Sequence, residues 1–176
     1  MLNRNIRIIL IISLVLIISG CATMHSGDRA ANLQCVPFAR EKSGIQIYGN
    51  AHTWWNKGTK TYARGNKPQK GSVLVLAKTG KLKYGHVAYV KKVISPRKIV
   101  VAHANWGKDF LGRGIIYENM EVKDVSKNND WSRVRFWSPE SDNFGLVYPA
   151  KGFVYNKAPK KPVQAMAETA TPEKKL

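Results

Sequence analysis

The chain has 176 residues, of which 29 are basic and 11 acidic, giving a formal net charge of +18. That length is one domain's worth, and such a charge implies an anionic partner, for which nucleic acid is the usual first thought. The N-terminal sequence excludes nucleic acid by marking the chain for export.

Arg4 and Arg7 form a positive n-region, and Ile8 to Ile18 is an apolar run interrupted only by Ser13. Crossing the ~30 Å hydrocarbon core takes ~20 apolar residues, so the run reads as a signal-peptide core rather than a membrane span. Its ending, Ile18-Ser19-Gly20-Cys21, resembles the bacterial lipobox, in which the cysteine is acylated and becomes the mature N-terminus. Residues 1–20 are then a lipoprotein signal peptide and Cys21 the lipidation site. One acyl chain binds a bilayer marginally and two or more hold stably, so Cys21 would anchor the protein to a membrane. Ala22 lacks the aspartate that commonly signals inner-membrane retention. In a Gram-negative host this places the anchor in the outer membrane, facing the periplasm. Without Arg4 and Arg7 the mature chain keeps 27 basic against 11 acidic residues, a net +16. The anionic polymers outside an inner membrane are the cell wall and lipopolysaccharide. The bland alternatives are an ordinary secretory signal and lysines that only keep the chain soluble.

Residues 21–32 read as a polar tether. A helix is predicted from Cys35 to Lys42, with Pro37 tolerated in the first turn and Gly44 as the stop. A second short helix spans Thr53–Lys57. Branched residues then mark strands at 72–77 (SVLVLA), 86–94 (HVAYVKKVI) and 98–105 (KIVVAHAN), with Ser95-Pro96-Arg97 as a turn. Arg133–Trp137 and Gly152–Tyr155 are predicted as further strands. From 156 to 176 lysine, proline, alanine, glutamate and threonine dominate, which reads as a disordered basic tail. The expected fold is α+β, a helix-first domain with its N-terminal helices packed on an antiparallel sheet.

With Cys21 lipidated, Cys35 is a lone thiol in an exported protein, a candidate reactive group. If Cys21 is free, a Cys21–Cys35 disulfide competes with that reading. At a helix start the dipole favours a thiolate by ~0.3–1 kcal/mol. Lowering a thiol pKa from ~8.5 to below 7 takes ~2 kcal/mol or more, so an imidazolium must supply the remainder. Four histidines are available, His25, His52, His86 and His103, and His25 lies in the tether. Pairing the hairpin about Ser95–Lys98 places Ala88 opposite Asn105 and Val90 opposite His103. His86, His103 and Asn105 then share a face, with Asn105 the diagonal neighbour of His86. That gives a nucleophile, a base and two candidate orienters. Singly, a strand histidine is more often a satisfied core group, and a buried cysteine is ordinarily inert packing. No metal-ligand spacing and no Gly-rich phosphate loop is present, so neither a metal nor a cofactor is expected.

Four blocks, LQCVPFAREKSGIQIYGNAHTWW, KPQKGSVLVL, YGHVAYV and VVAHANWG, resemble in order the CHAP family of cysteine- and histidine-dependent amidohydrolases/peptidases. The resemblance covers roughly 33–155. It implies a papain-like α+β fold and cleavage of peptidoglycan, as an N-acetylmuramoyl-L-alanine amidase or an endopeptidase. Cys35 matches the family's nucleophile and His86 its base. His103 stands where many members carry an acidic third residue, and Asn105 matches the asparagine two positions later, so either would orient His86. The backbone at the helix start, with Gln34, would hold the oxyanion, and Trp54, Trp55 and Trp106 are candidate cleft residues. The alternative function is a non-enzymatic basic lipoprotein that binds the anionic wall.

Overall fold

The computed structural model describes residues 34–106 and 115–158. The leader, Cys21, the tether up to 32 and the tail from 159 onward lie outside them.

Helix α1 spans Cys35–Ser43. It ends at Gly44, which takes a left-handed φ of 72° and donates its N–H to the Arg40 carbonyl at 2.9 Å. A 3-10 turn at Ala51–Thr53 leads into α2, Trp54–Lys57, and a further 3-10 turn at Gly58–Lys60. Seven strands follow: β1 Ala63–Gly65, β2 Val73–Leu76, β3 His86–Ser95, β4 Lys98–Ala104, β5 Ile116–Asp124, β6 Arg133–Ser138 and β7 Asn143–Tyr155.

The expected arrangement of helices packed on an open antiparallel sheet does not hold. The strands run β1-β7-β2-β3-β4-β5-β6, and β6 pairs back onto β7. Six of them therefore close into an antiparallel barrel, with β1 appended to β7 and, among the described residues, only two short α-helices outside. Closure depends on β7, whose 13 residues serve two barrel neighbours besides β1. Asn143 to Pro149 pair with β6, and Ala150 to Val154 pair with β2. Where β7 changes partner, Ala77 N–H donates to the Pro149 carbonyl and Ala150 N–H to the Ser132 carbonyl, both at 2.9 Å.

Alternation along each strand divides the apolar residues between the lumen and the outside. Leu74, Leu76, Ala88, Val90, Ile99, Val101, Met120, Val122, Val134, Phe136 and Phe153 fill the barrel, together with Trp131. On the outer face Val73, Val75, Val87 and Val154 pack under Ala39, Ile45, Ile47, Ala51 and Trp54. Phe38 of α1 adds a patch with Ala102 and Ala104. This outer core seats α1 across β3 and β4 and so brings Cys35 to the start of β3.

At the opposite end of the hairpin the β3–β4 turn is locked to the β5–β6 connection. Arg97 Nη1 reaches Asp124 Oδ2 at 3.3 Å and donates to the Ser126 carbonyl at 2.7 Å. Asp124 is buried and also accepts the Ser126 N–H at 2.8 Å.

Candidate active site

Cys35 is the first residue of α1, half-buried against Val87 and the outer core. Gln34, at the N-cap, has extended backbone and caps no N–H with its side chain. The opening amides of the helix therefore have no side-chain acceptor and point their positive end toward an incoming anion. Burial pushes the Cys35 thiol up, opposed by the backbone N–H groups of Val87, Val36 and Cys35 itself. The thiol thus stands at the strand residue following His86, although its pKa is set by burial and backbone amides rather than by an imidazole.

His86 opens β3 and points into the barrel end, buried. Gly85 before it has a φ of 70°, and a Cβ there would meet the His52 backbone nitrogen at 2.7 Å and the Leu76 carbonyl at 2.8 Å. Only glycine lets the 50s turn close over the start of the strand. His52 belongs to that turn; its Nδ1 lies 3.0 Å from the Tyr84 carbonyl, and it does not join the buried histidines.

The two buried imidazoles meet. His86 Nε2 lies 2.9 Å from His103 Nδ1, with the rings edge to face at 82°. His103 is fully buried and its Nε2 lies 3.1 Å from Met120 Sδ. Trp106 packs on both rings, with centroids 4.6 Å from His86 and 5.4 Å from His103, and also stacks on Phe136. Desolvation, with the His103 ring adding to it, holds His86 well below the ordinary histidine pKa; desolvation alone lowers His103 to about 3. Both rings are neutral at physiological pH, and the thiol is protonated. The resting site is an uncharged pair, where the helix-start argument expects a thiolate beside an imidazolium. A helix dipole and a partner favour the thiolate, but removing both groups from water opposes it.

The hairpin register differs from the one expected from the turn. Ser95 pairs with Lys98 as predicted, but shifts between Val93 and Ser95 and between Val90 and Lys92 place Val90 opposite Val101 and Tyr89 opposite Ala102. Two single-residue shifts amount to a net slip of two, which preserves the face of each side chain. His86 and His103 therefore still share a face, and His103 rather than Asn105 is the neighbour of His86. Asn105 lies past the end of β4 with a φ of 57°, and its Nδ2 donates to Gln34 Oε1 at 2.7 Å. It ties the helix start to the strand end instead of reaching the imidazole.

Among the tryptophans, Trp54 is fully buried in the outer core and presents no surface to a ligand. Trp55 is half-buried, with the Arg64 guanidinium 4.6 Å above its ring, away from the histidines. Trp106 alone of the three touches the site. Met120 and Phe136 pack on His103 and Tyr148 packs on Trp106. Phe136 lies in the strand foreseen at 133–137, whereas Met120 and Tyr148 carried no signal because β5 was unforeseen and β7 was seen only at its end. Among the described residues no group of three His, Cys, Asp or Glu side chains is placed to hold a metal ion, and no helix is long and apolar enough to cross a membrane.

Comparison with known proteins bears on this geometry. The CHAP domain model matches residues 25–105. Staphylococcal secretory antigen SsaA of Staphylococcus epidermidis is 35% identical over 99 residues, covering 54% of this chain and 36% of that protein. Staphylococcal secretory antigen ssaA2 of Staphylococcus aureus is 32% identical over 87 residues, 47% of this chain and 30% of its own. The chain thus spans about a third of the length of the curated relatives it matches. A crystal structure of an N-acetylmuramoyl-L-alanine amidase from Staphylococcus aureus aligns over 68% of this chain and 30% of that one, at 23% identity and a TM-score of 0.44. The family match and the four sequence blocks agree, and residues 25–105 are similar to the CHAP domain.

Proposed function

We propose that this chain is a cysteine hydrolase that cleaves amide bonds of peptidoglycan, with Cys35 as nucleophile and His86 as general base. The observation that carries this reading is the orientation of His86. Its Nε2 is engaged by His103, so Nδ1 is the nitrogen left for the thiol beside Val87. A cysteine base needs this arrangement, one nitrogen held by an orienter and the other free.

The reaction starts from the neutral pair. As the sulfur attacks the amide carbonyl, its proton passes to His86 Nδ1 and the S–C bond forms. The oxyanion is met by the opening N–H groups of α1. Because Asn105 holds the Gln34 amide by its oxygen, the Gln34 nitrogen is turned outward as a further donor. His86 then gives its proton to the departing amine as the C–N bond breaks. Water activated by the same nitrogen hydrolyses the thioester. The approach of sulfur to Nδ1 tightens on substrate binding, as is common for catalytic contacts.

Relatives named secretory antigens support a cell-envelope location, and lipidation at Cys21 would provide the anchor. Labelling with radioactive palmitate, lost in Cys21→Ser, tests the anchor; membrane fractionation of the host tests the outer-membrane assignment. The hydrolase itself is tested by zymography on purified cell wall with wild type and Cys35→Ala. Clearing by the wild type alone supports it, and equal clearing rejects it. The raised thiol pKa and the +18 charge favour a second reading, a wall-binding lipoprotein without catalysis. That reading predicts salt-sensitive pelleting with sacculi, no clearing by either protein, and loss of pelleting when 156–176 are deleted.

A further inference from the structure

We propose that Met120 is a positioning residue: its thioether, by accepting a hydrogen bond from His103, fixes the tautomers of both buried imidazoles and leaves the bare nitrogen of His86 on the side of Cys35. The inference rests on the cysteine-hydrolase reading for its consequence, though not for its geometry.

A thioether has lone pairs and no proton to give, so it can only accept. The 3.1 Å contact between Met120 Sδ and His103 Nε2 therefore places the proton on that nitrogen. His103 is fully buried, ringed by Trp106, Tyr117 and Phe136, and kept neutral by the loss of water. A neutral imidazole carries one N–H, so His103 Nδ1 is bare. That bare nitrogen faces His86 Nε2 at 2.9 Å, and the bond exists only if His86 Nε2 carries the proton. His86 Nδ1 is then the lone-pair nitrogen.

The reversed chain is the alternative to be excluded. With the proton on His103 Nδ1, His86 Nε2 would accept and His86 Nδ1 would carry a hydrogen, unable to take one from the thiol. That state also sets a bare His103 Nε2 against the lone pairs of Met120 at 3.1 Å. Met120 thus breaks a symmetry that two neutral imidazoles cannot break alone. Where a carboxylate would impose the tautomer by charge, this site imposes it through an uncharged acceptor at the far end. Among the described residues no charged group takes part from the surrounding elements. Met120 and Tyr117 come from β5, Phe136 from β6, and Trp106 follows β4, while Asn105 is turned to Gln34.

The register explains how a β5 residue arrives there. Val101 pairs with Met120 and His103 with Tyr117, so a shift lies between the two pairs. The extra β5 residue lets Met120 enter the lumen diagonally beneath His103, where it is 5% exposed.

The test is nitrogen-15 correlation NMR of the full chain labelled in histidine, which reads the protonated nitrogen of each ring. The wild type is expected to show Nε2–H for both His86 and His103. Met120→Leu, which keeps the volume and removes the acceptor, is expected to show mixed tautomers and a kcat about 10- to 100-fold lower at unchanged KM. A wild-type spectrum with Nδ1–H on either ring overturns the proposal, as does a folded Met120→Leu protein with unaltered tautomers. If Met120→Leu does not fold, the wild-type spectrum alone decides. Expected tautomers in a protein that clears no cell wall would reject the hydrolase and leave the proton chain standing.

Discussion

At its turn, the β3–β4 hairpin buries a charge and supplies a counter-charge; at its open end it buries two imidazoles and supplies none. The Asp124 side chain is inaccessible, and Arg97 reaches it while remaining 42% exposed itself. His86 and His103 are as deeply buried, yet their partners are each other and a thioether. The first solution retains an ion by compensation, and the second discharges the groups by keeping them from water. A site that must pass a proton needs the second kind, because a compensated ion holds its proton state.

The largest effect that tests this contrast is at the open end. Cys35→Ala should lower cell-wall hydrolysis at least about 10³-fold while lowering the melting temperature only slightly, because the small half-buried side chain packs at the margin of the outer core. Turbidity clearing and thermal denaturation on the same preparation separate the two quantities. Acid should weaken the open end next. The unfolded histidines titrate near 6.5, while in the folded chain His103 is lowered to about 3 and His86 is lowered as well. The unfolded state therefore binds more protons in between. The stability is fully present above about pH 6.5 and is lost as pH falls toward 3, at about 1.4 kcal/mol per pH unit for each ring. Urea unfolding between pH 7 and 4 measures the slope, and His103→Gln should reduce it by about one proton. A flat profile would mean that the rings are not buried neutral.

The turn end should respond in stability alone. Arg97→Ala leaves Asp124 buried with the Ser126 amide and the Asn129 side-chain amide as its partners and should cost about 2 kcal/mol, below the full figure for a buried pair because Arg97 is half exposed. Hydrolysis per folded molecule should not change. The smallest effect is on thiol reactivity. With the Cys35 pKa raised, its alkylation by iodoacetamide should keep accelerating past pH 8.5, whereas a plateau below pH 7 would reveal a standing thiolate.

Much of the hairpin was legible in the sequence, for an identifiable reason. SVLVLA, HVAYVKKVI and KIVVAHAN are dense in branched residues because β2, β3 and β4 are buried on both faces over much of their length, by the lumen and by the helices. Gly44 marked the end of α1 because a left-handed cap demands it. The barrel was not legible. β5 carries Glu118, Asn119, Glu121 and Lys123 toward solvent, and only Met120 and Val122 give it an apolar side. β7 is interrupted by Gly145 and Pro149, which read as turn residues when neighbours are unknown, so only its end at Gly152–Tyr155 was foreseen. Missing β5 and most of β7 leaves an open sheet with helices, which is the α+β arrangement that the structure replaces.

The shared face of the two buried histidines was legible and their wiring was not. His86 and His103 meet, with Cys35 at the Val87 backbone, but two register shifts that no residue announces decide that His103 rather than Asn105 is the partner of His86. Trp54 and Trp55 are adjacent in sequence, yet one belongs to the core and the other lies half-buried under the Arg64 guanidinium. Side-chain alternation places a residue on a face; it does not say how far a bulge carries it.

Closure of β6 onto β7 has a consequence beyond shape. An open sheet ends in rows of unpaired amides and carbonyls that invite pairing with another molecule, and a closed one has none. Among the described residues β1, three residues long, is attached to β7 alone, and residues 116–121 of β5 extend past the pairing with β6. Closure thus confines the template for strand-to-strand association to these two short stretches.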